Sequence, residues 1–246
     1  MFAISREIYN LPHLSPMDTT RIATLLEPFL DQPLPSLAIE HISIYIDLLL
    51  RWNARINLTA VRNPGEIVTR HFGESFFLAR HLFPMEGRAP SPVQAQVPGV
   101  PAGAPHNPRV LDLGSGAGFP ALPLKIWTPE IYLTLIESNH RKAAFLREVA
   151  RALTLTNVNV LSERAESIAG PNPPQFDVVT LRAVERFDTI LPIATRFLAP
   201  NARIALLVGS SQLNSLPTLA PTMDWHPAIN IPESHSRVLA IGVRTS

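Results

Sequence analysis

Residues 109–119, RVLDLGSGAGF, constrain the fold of this 246-residue chain more than any other stretch. Val110, Leu111 and Leu113 make a short apolar run with Asp112 near its end, and Gly114, Gly116 and Gly118 then alternate. Such a pattern predicts a buried strand, a tight turn and a following helix. Glycine is needed where the backbone takes a positive φ or where a ligand must approach the main chain. Turns of this kind lie at the carboxyl ends of parallel strands, where open α/β sheets bind their ligands. A dinucleotide fingerprint requires G-x-G-x-x-G, but here the third glycine comes one residue early and Phe119 follows it. The next apolar run, 131–136, ends in Glu137, an acidic side chain suited to ribose hydroxyls. Acid-ended second strands serve more than one nucleotide cofactor, so Glu137 alone does not choose between them.

From Arg109 onward the periodicity alternates regularly. Strands are expected at 109–113, 131–137, 157–162, 175–181 and 202–208, and helices at 119–127, 140–153 and 188–198. The 140–153 helix turns Phe145, Leu146, Val149 and Leu153 inward and Arg141, Lys142, Arg147 and Arg151 outward. This alternation implies a mostly parallel sheet with right-handed crossovers. The runs INI and RVLAIGV in the tail suit a closing antiparallel hairpin.

Upstream, three helices are expected: 18–31, disturbed at Pro28, a longer one from Pro35 to Trp52, and 65–83. Trp52 lies on an apolar helical face and reads as core. Arg51, Arg55, Arg62, Arg70, His71, Arg80 and His81 offer this region a basic side. Proline, glycine and alanine dominate residues 84–108, which read as a flexible insertion. The chain therefore divides into a helical cap region at 1–83, the insertion at 84–108 and an α/β domain at 109–246.

Composition narrows the chemistry. With no cysteine, disulfides and thiolate metal sites are excluded, and so is covalent catalysis through a thiolate. A reducing cytoplasm is the expected compartment. No apolar run reaches the ~18 residues of a membrane span, and residues 1–16 make a poor signal peptide, breaking at Pro12. The net charge of +1 gives no global basic field, so any nucleic-acid surface must be local. The histidines show no metal-ligand spacing with acidic partners.

The glycine turn with its preceding acid resembles motif I of the class I S-adenosylmethionine-dependent methyltransferases, which have a Rossmann-like, mostly parallel seven-stranded sheet. More specifically, the chain from about Leu37 to Gly209 resembles the RsmG/GidB family of bacterial 16S rRNA guanine-N7 methyltransferases. WNARINLTAVRNPGEIVTRHFGES is similar to that family's N-terminal signature and LDLGSGAGFPALPLKI to its motif I. ERAESIA, followed by FDVVTLRAVERF, is similar to its third and fourth strand exits.

The resemblance implies S-adenosylmethionine as methyl donor, held by Gly114, Gly116, Gly118, Phe119, Glu137, Ala165, Glu166 and Arg182. Arg182 is also the candidate residue at the incoming base, and Asn57, Arg70 and His71 are the candidate substrate-binding residues. The implied partner is 16S rRNA or a small-subunit ribosomal particle, the implied target the guanine at position 527 in its 530 loop, and the implied state a monomer without metal or membrane. Two alternatives stay open: a methyltransferase acting on a small molecule, and a non-catalytic binding module on the same fold.

Three positions depart from the family pattern. The usual glycine pair before the fifth strand is Asn201-Ala202, the Lys-Gly at its end is Val208-Gly209, and the aspartate expected after His71 is Glu74. Asn172-Pro173-Pro174 resembles part of an exocyclic-amine methyltransferase motif, but it lacks the aromatic residue and precedes the fourth strand, so it reads as a turn.

Overall fold

The computed structural model describes residues 17–84, 107–183 and 186–245. The expectations for residues 1–16, and for all but the edges of the 84–108 insertion, lie outside these.

The first described helix, α1 (Thr19–Leu26), begins where the Asp18 side chain accepts from the Thr20 N–H at 3.1 Å. Pro28 then turns the chain into a 3-10 segment, Glu27–Phe29. Helix α2 (Ser36–Asn53) buries Ile39, Ile42, Tyr45, Ile46, Leu49 and Trp52. Trp52 sits in the core, edge-on to Phe145 with centroids 5.7 Å apart.

The stretch expected as one helix over 65–83 has three parts: α3 (Pro64–Ile67), a π-helical turn over Val68–Gly73, and α4 (Glu74–Leu82). Its apolar pattern reads as α-helix throughout, and the widened turn leaves no mark on that pattern. A Cβ at Gly73 would lie 2.6 Å from the Phe29 ring, so glycine there lets the 3-10 segment press against the π turn.

The α/β part comprises β1 (Arg109–Leu113), α5 (Ala121–Trp127), β2 (Tyr132–Ile136), α6 (His140–Ala152), β3 (Val158–Leu161) and α7 (Ala165–Ile168). It continues through β4 (Phe176–Arg182), α8 (Phe187–Thr195), β5 (Leu198–Gly209), α9 (Leu216–Leu219), β6 (Met223–Trp225), β7 (Ile229–Asn230) and β8 (Arg237–Arg244). The sheet order is β3-β2-β1-β4-β5-β8-β6, with the two-residue β7 also paired to β8. Strands β1 to β5 are parallel and β8 is antiparallel to β5, β6 and β7. The hairpin expected in the tail is the β7–β8 pair, and β6 adds an edge strand that its short run did not announce.

Both sheet faces are covered. Cap helices, α5 and α6 share one apolar cluster with β1 and β2, while α8 and α9 close the other face against β4 and β5. That double cover explains why β4 is buried at every position but its last. Strand β5 starts at Leu198 instead of 202, because the register shifts between Phe176 and Val178 and Asn201 takes a φ of 61°. Pro120 stands in the loop and sets the start of α5. Strand β1 has β2 on one side and β4 on the other, so the strand order reverses there and opens a crevice at the carboxyl edge.

Candidate active site

A cleft of about 660 Å³ occupies that crevice, between the ends of β1, β2 and β4 and cap residues 58–61 and 70–71. Its volume suits a cofactor-sized ligand. In the glycine loop, the N–H groups of Gly114 and Ser115 both donate to the Ile136 carbonyl, at 2.9 and 3.1 Å. Gly114, Gly116 and Gly118 take φ values of 67°, 53° and 86°. Glu137 is buried at the end of β2, its two oxygens accepting from the N–H groups of Gly116 and Asn139, both at 2.8 Å. Each carboxylate oxygen keeps a further lone pair for a hydroxyl in the cleft that Glu137 lines.

The two later glycines serve different ends. A Cβ on Gly116 would meet no protein atom nearer than the Gly114 carbonyl oxygen at 3.7 Å, so the space beyond it belongs to the cleft. A Cβ on Gly118 would collide with the Tyr45 hydroxyl and lie 2.6 Å from Leu122. Gly118 does not line the cleft. It makes room for α2, whose Tyr45 hydroxyl donates to the Ala117 carbonyl at 2.5 Å.

Beneath the loop, Asp112 is buried and accepts from the Thr180 hydroxyl at 2.6 Å, while its Oδ2 has no partner. Burial pushes its carboxyl up to about 7. On the far wall Ala165 and Glu166 line the cleft, and Glu166 stands 3.7 Å from the exposed Arg186 guanidinium.

The opposite side is built from side chains. Arg182, at the end of β4, donates through Nη2 to the Arg70 carbonyl at 2.6 Å, to His71 Nδ1 at 3.0 Å and to Glu74 Oε2 at 3.2 Å. Arg237 of β8 binds the other oxygen of the same carboxylate. A guanidinium only donates, so His71 Nδ1 carries a lone pair and its Nε2–H is directed at the Thr59 hydroxyl, 2.8 Å away. Burial, reinforced by Arg182, Arg237 and Arg70, lowers His71 to about 3, so it is neutral. Burial also lowers Arg182 to about 10, which leaves it a cation at neutral pH. Burial raises Glu74, and the guanidinium groups around it oppose that shift. The His71 ring stacks on Phe119 with centroids 4.8 Å apart, and Phe119 stacks on Tyr45 at 5.2 Å.

Gly114, Gly116, Phe119, Glu137, Ala165, Glu166, Arg182, Arg70 and His71 thus meet around one cleft. Asn57 does not: it is exposed, and its neighbours Leu58 and Thr59 face the cleft instead. The cause is Asn53, whose Oδ1 accepts from the N–H groups of Leu58 and Thr59 and whose Nδ2 donates to the Thr59 carbonyl. Asn53, Tyr45 and Arg237 carry no sequence signal of a role in the site, and Glu74 stands out only as the residue where the family resemblance expects an aspartate. The basic side of the cap is partly neutralised, since Arg51 pairs with Asp47, Arg70 with Glu66 and Arg80 with Asp31. Among the described residues no group of three or more His, Asp or Glu side chains could hold a metal ion, and no helix is long and apolar enough to cross a membrane.

S-adenosylmethionine fits the residues present. Glu137 has acceptor capacity for ribose hydroxyls, and Gly116 leaves open space at positive φ. The strand order, with antiparallel β8 beyond β5, and this cleft over the β1–β4 reversal place the chain among the class I S-adenosylmethionine-dependent methyltransferases. Within that class, it belongs to the rRNA small subunit methyltransferase G (GidB) family, which it matches over residues 38–87 and 97–234.

Relatives include a ribosomal RNA small subunit methyltransferase G of Roseiflexus castenholzii, 42% identical over 190 residues, spanning 73% of this chain and 70% of that protein. One from Chloroflexus aggregans is 37% identical over 207 residues, spanning 80% and 78%. Similar solved structures include the putative methyltransferase yhhF from Escherichia coli, with a TM-score of 0.48, 20% identity and coverage of 57% of this chain and 78% of that one. Another is a SAM-dependent methyltransferase from Aquifex aeolicus, with a TM-score of 0.47, 18% identity and coverage of 56% and 82%.

Proposed function

We propose that this chain transfers a methyl group from S-adenosylmethionine to N7 of a guanine in small-subunit rRNA, the 530-loop guanine of the family resemblance. Family membership, together with a cofactor-suited wall that faces a cationic wall across one cleft, carries this reading. It works in the cytoplasm as a monomer, on 16S rRNA or on a small-subunit particle. Residues 1–83 act as the cap, 84–108 as a spacer and 109–246 as the methyltransferase domain.

The bound cofactor supplies an electrophilic methyl group on a sulfonium. Guanine N7 carries an in-plane lone pair and no proton, so the reaction asks for no general base. What the protein must provide is alignment of the reacting atoms and control of charge. Glu137, with Gly114 and Gly116, holds the cofactor, and Ala165 and Glu166 flank its far end. Arg182 is fixed by Glu74, His71 and the Arg70 carbonyl, and so presents a preset cation at the exit of β4. The base gains positive charge as it is methylated, and the Glu74 carboxylate between Arg182 and Arg237 offsets their field. His71, being neutral, adds no charge there and serves to position Arg182.

The test is methyl transfer from labelled cofactor to small-subunit RNA and to the particle. The product should be 7-methylguanosine, read as strand scission after borohydride and aniline. Label only on small molecules, or on RNA at another atom, would overturn the assignment.

A further inference from the structure

Arg237 stands apart from the rest of the site. Strand β8 runs antiparallel to β5, and its first residue, Arg237, pairs with Gly209, the last of β5. It therefore emerges at the same edge of the sheet as Arg182 and the glycine loop. In the sheet order it lies two strands beyond β4, on the side away from β2 and Glu137. Strand β5 brings no charge to this edge, since Val208 is buried and Gly209 has no side chain. Arg237 supplies the cation from the next strand.

Burial separates the two arginines that share Glu74. The side chain of Arg182 is 6% exposed and that of Glu74 is 3% exposed, whereas Arg237 is 23% exposed and lines the cleft. Among the described residues, Arg182 spends Nη2 on three protein acceptors, but the Arg237 guanidinium has one, a Glu74 oxygen. A guanidinium has five N–H donors in a planar fork that matches two oxygens of a phosphate. Glu74 anchors one corner of the fork, which leaves the others toward the cleft. Arg70 on the same side is paired with Glu66, so Arg182 and Arg237 share one buried carboxylate and this corner keeps one positive charge in excess.

We infer that Arg237 forms a phosphodiester subsite on the substrate side of the cleft, binding the RNA backbone beside the target nucleotide, with Glu74 as its positioning residue. The inference rests on RNA being the substrate. Phosphate contacts provide affinity that falls with salt, because each neutralised phosphate releases counterion. The experiment titrates a fluorescein-labelled small-subunit rRNA transcript, by anisotropy, from ~50 to 200 mM salt, with calorimetry of S-adenosylmethionine in parallel.

Arg237→Gln should weaken RNA binding about tenfold and reduce the slope of log K against log salt by roughly 0.7–0.9, with cofactor affinity unchanged. Arg237→Lys, which keeps the charge but loses the fork, should recover the slope and part of the affinity. Unchanged RNA affinity and slope in a folded Arg237→Gln protein would overturn the subsite. So would an equal loss of cofactor and RNA affinity, since that is what a purely structural arginine gives. If Arg237→Gln does not fold, the lysine variant decides, because a slope lowered by the full roughly 0.7–0.9 of one contact in a variant that keeps the charge contradicts a phosphate contact. Failure of the wild-type protein to bind and methylate the transcript is seen before any variant is made, and it overturns the choice of RNA instead.

Discussion

On the β2 side of the cleft the main chain does the holding: N–H groups of the glycine loop bond the Ile136 carbonyl and the Glu137 carboxylate at the end of the neighbouring strand. On the β4–β8 side, ionised and neutral side chains hold one another, and they come from the π turn, α4, β4 and β8. The first wall depends on backbone dihedrals, the second on buried charges finding partners. Substitutions should therefore fail differently on the two sides. A glycine change should remove a ligand while sparing the rest, whereas a charge change should disturb its neighbours as well.

The largest expected effect is on the main-chain side. Gly116→Val puts a branched side chain at a φ of 53° and into the cleft. It should raise the dissociation constant for S-adenosylmethionine by ~100-fold or more, roughly 2.7 kcal/mol. Calorimetry on the folded variant checks it, and unchanged affinity would take the loop out of the cofactor site. Gly118→Ala gives the sharper contrast. Its Cβ meets Tyr45 and Leu122 instead of ligand space, so the loss should be about 1–3 kcal/mol of stability, seen in the melting temperature.

Next comes Arg182→Ala, expected to lower turnover by ~100-fold with RNA and cofactor affinity far less affected, because its effect is felt in the transition state. Equal losses in turnover and binding would merge the two walls into one functional unit.

The pH dependence of stability should be smaller, and it sets one residue of each wall, His71 and Asp112, against the other by sign. His71 falls from 6.5 to about 3 on folding, so its contribution is present above pH 6.5 and is lost as pH falls toward 3. Asp112 rises from 3.8 to about 7, so its contribution is present below pH 3.8 and is lost as pH rises through 7. Between pH 3.8 and 6.5 the two oppose each other. His71→Gln should leave stability falling with pH across this window, and Asp112→Asn should leave it rising. Each slope is at most roughly 1.4 kcal/mol per pH unit, read from thermal midpoints. Identical profiles for the two variants would refute the assignment.

The smallest effect is expected from Tyr45→Phe, which loses the bond to the Ala117 carbonyl and should cost about 1–2 kcal/mol, a drop of a few degrees in melting temperature. A loss of cofactor affinity beyond a few-fold would show that α2 controls the loop more tightly than this one bond implies.

The main-chain wall was legible because its information is contiguous. Residues 110–118 alone specify strand, turn and positive-φ positions, and Glu137 ends the next apolar run. Gly118 was legible as a loop glycine but not as a packing one, since its reason is Tyr45, on another helix. Glu74 and Arg237 are 163 positions apart, and nothing local to either announces the pair. Asn57 drew attention as part of a motif, while Asn53, four residues earlier, does the folding. Short elements such as α7, β6 and β7 carry too few residues for a period to emerge.

The π turn at Val68–Gly73 makes chain length itself a determinant of the charge cluster. A π turn amounts to one extra residue threaded into an otherwise α-helical rod, and each α-helical residue advances about 100° around the axis. The widened turn absorbs that extra residue, so Phe76, Leu78 and Leu82 of α4 stay on the core face. Removing one residue would return the turn to α-helix with α4 still in phase, but it would abolish the widening that sets the Arg70 carbonyl and His71 Nδ1 against Arg182. A one-residue deletion here should therefore disturb the site while sparing the packing of α4.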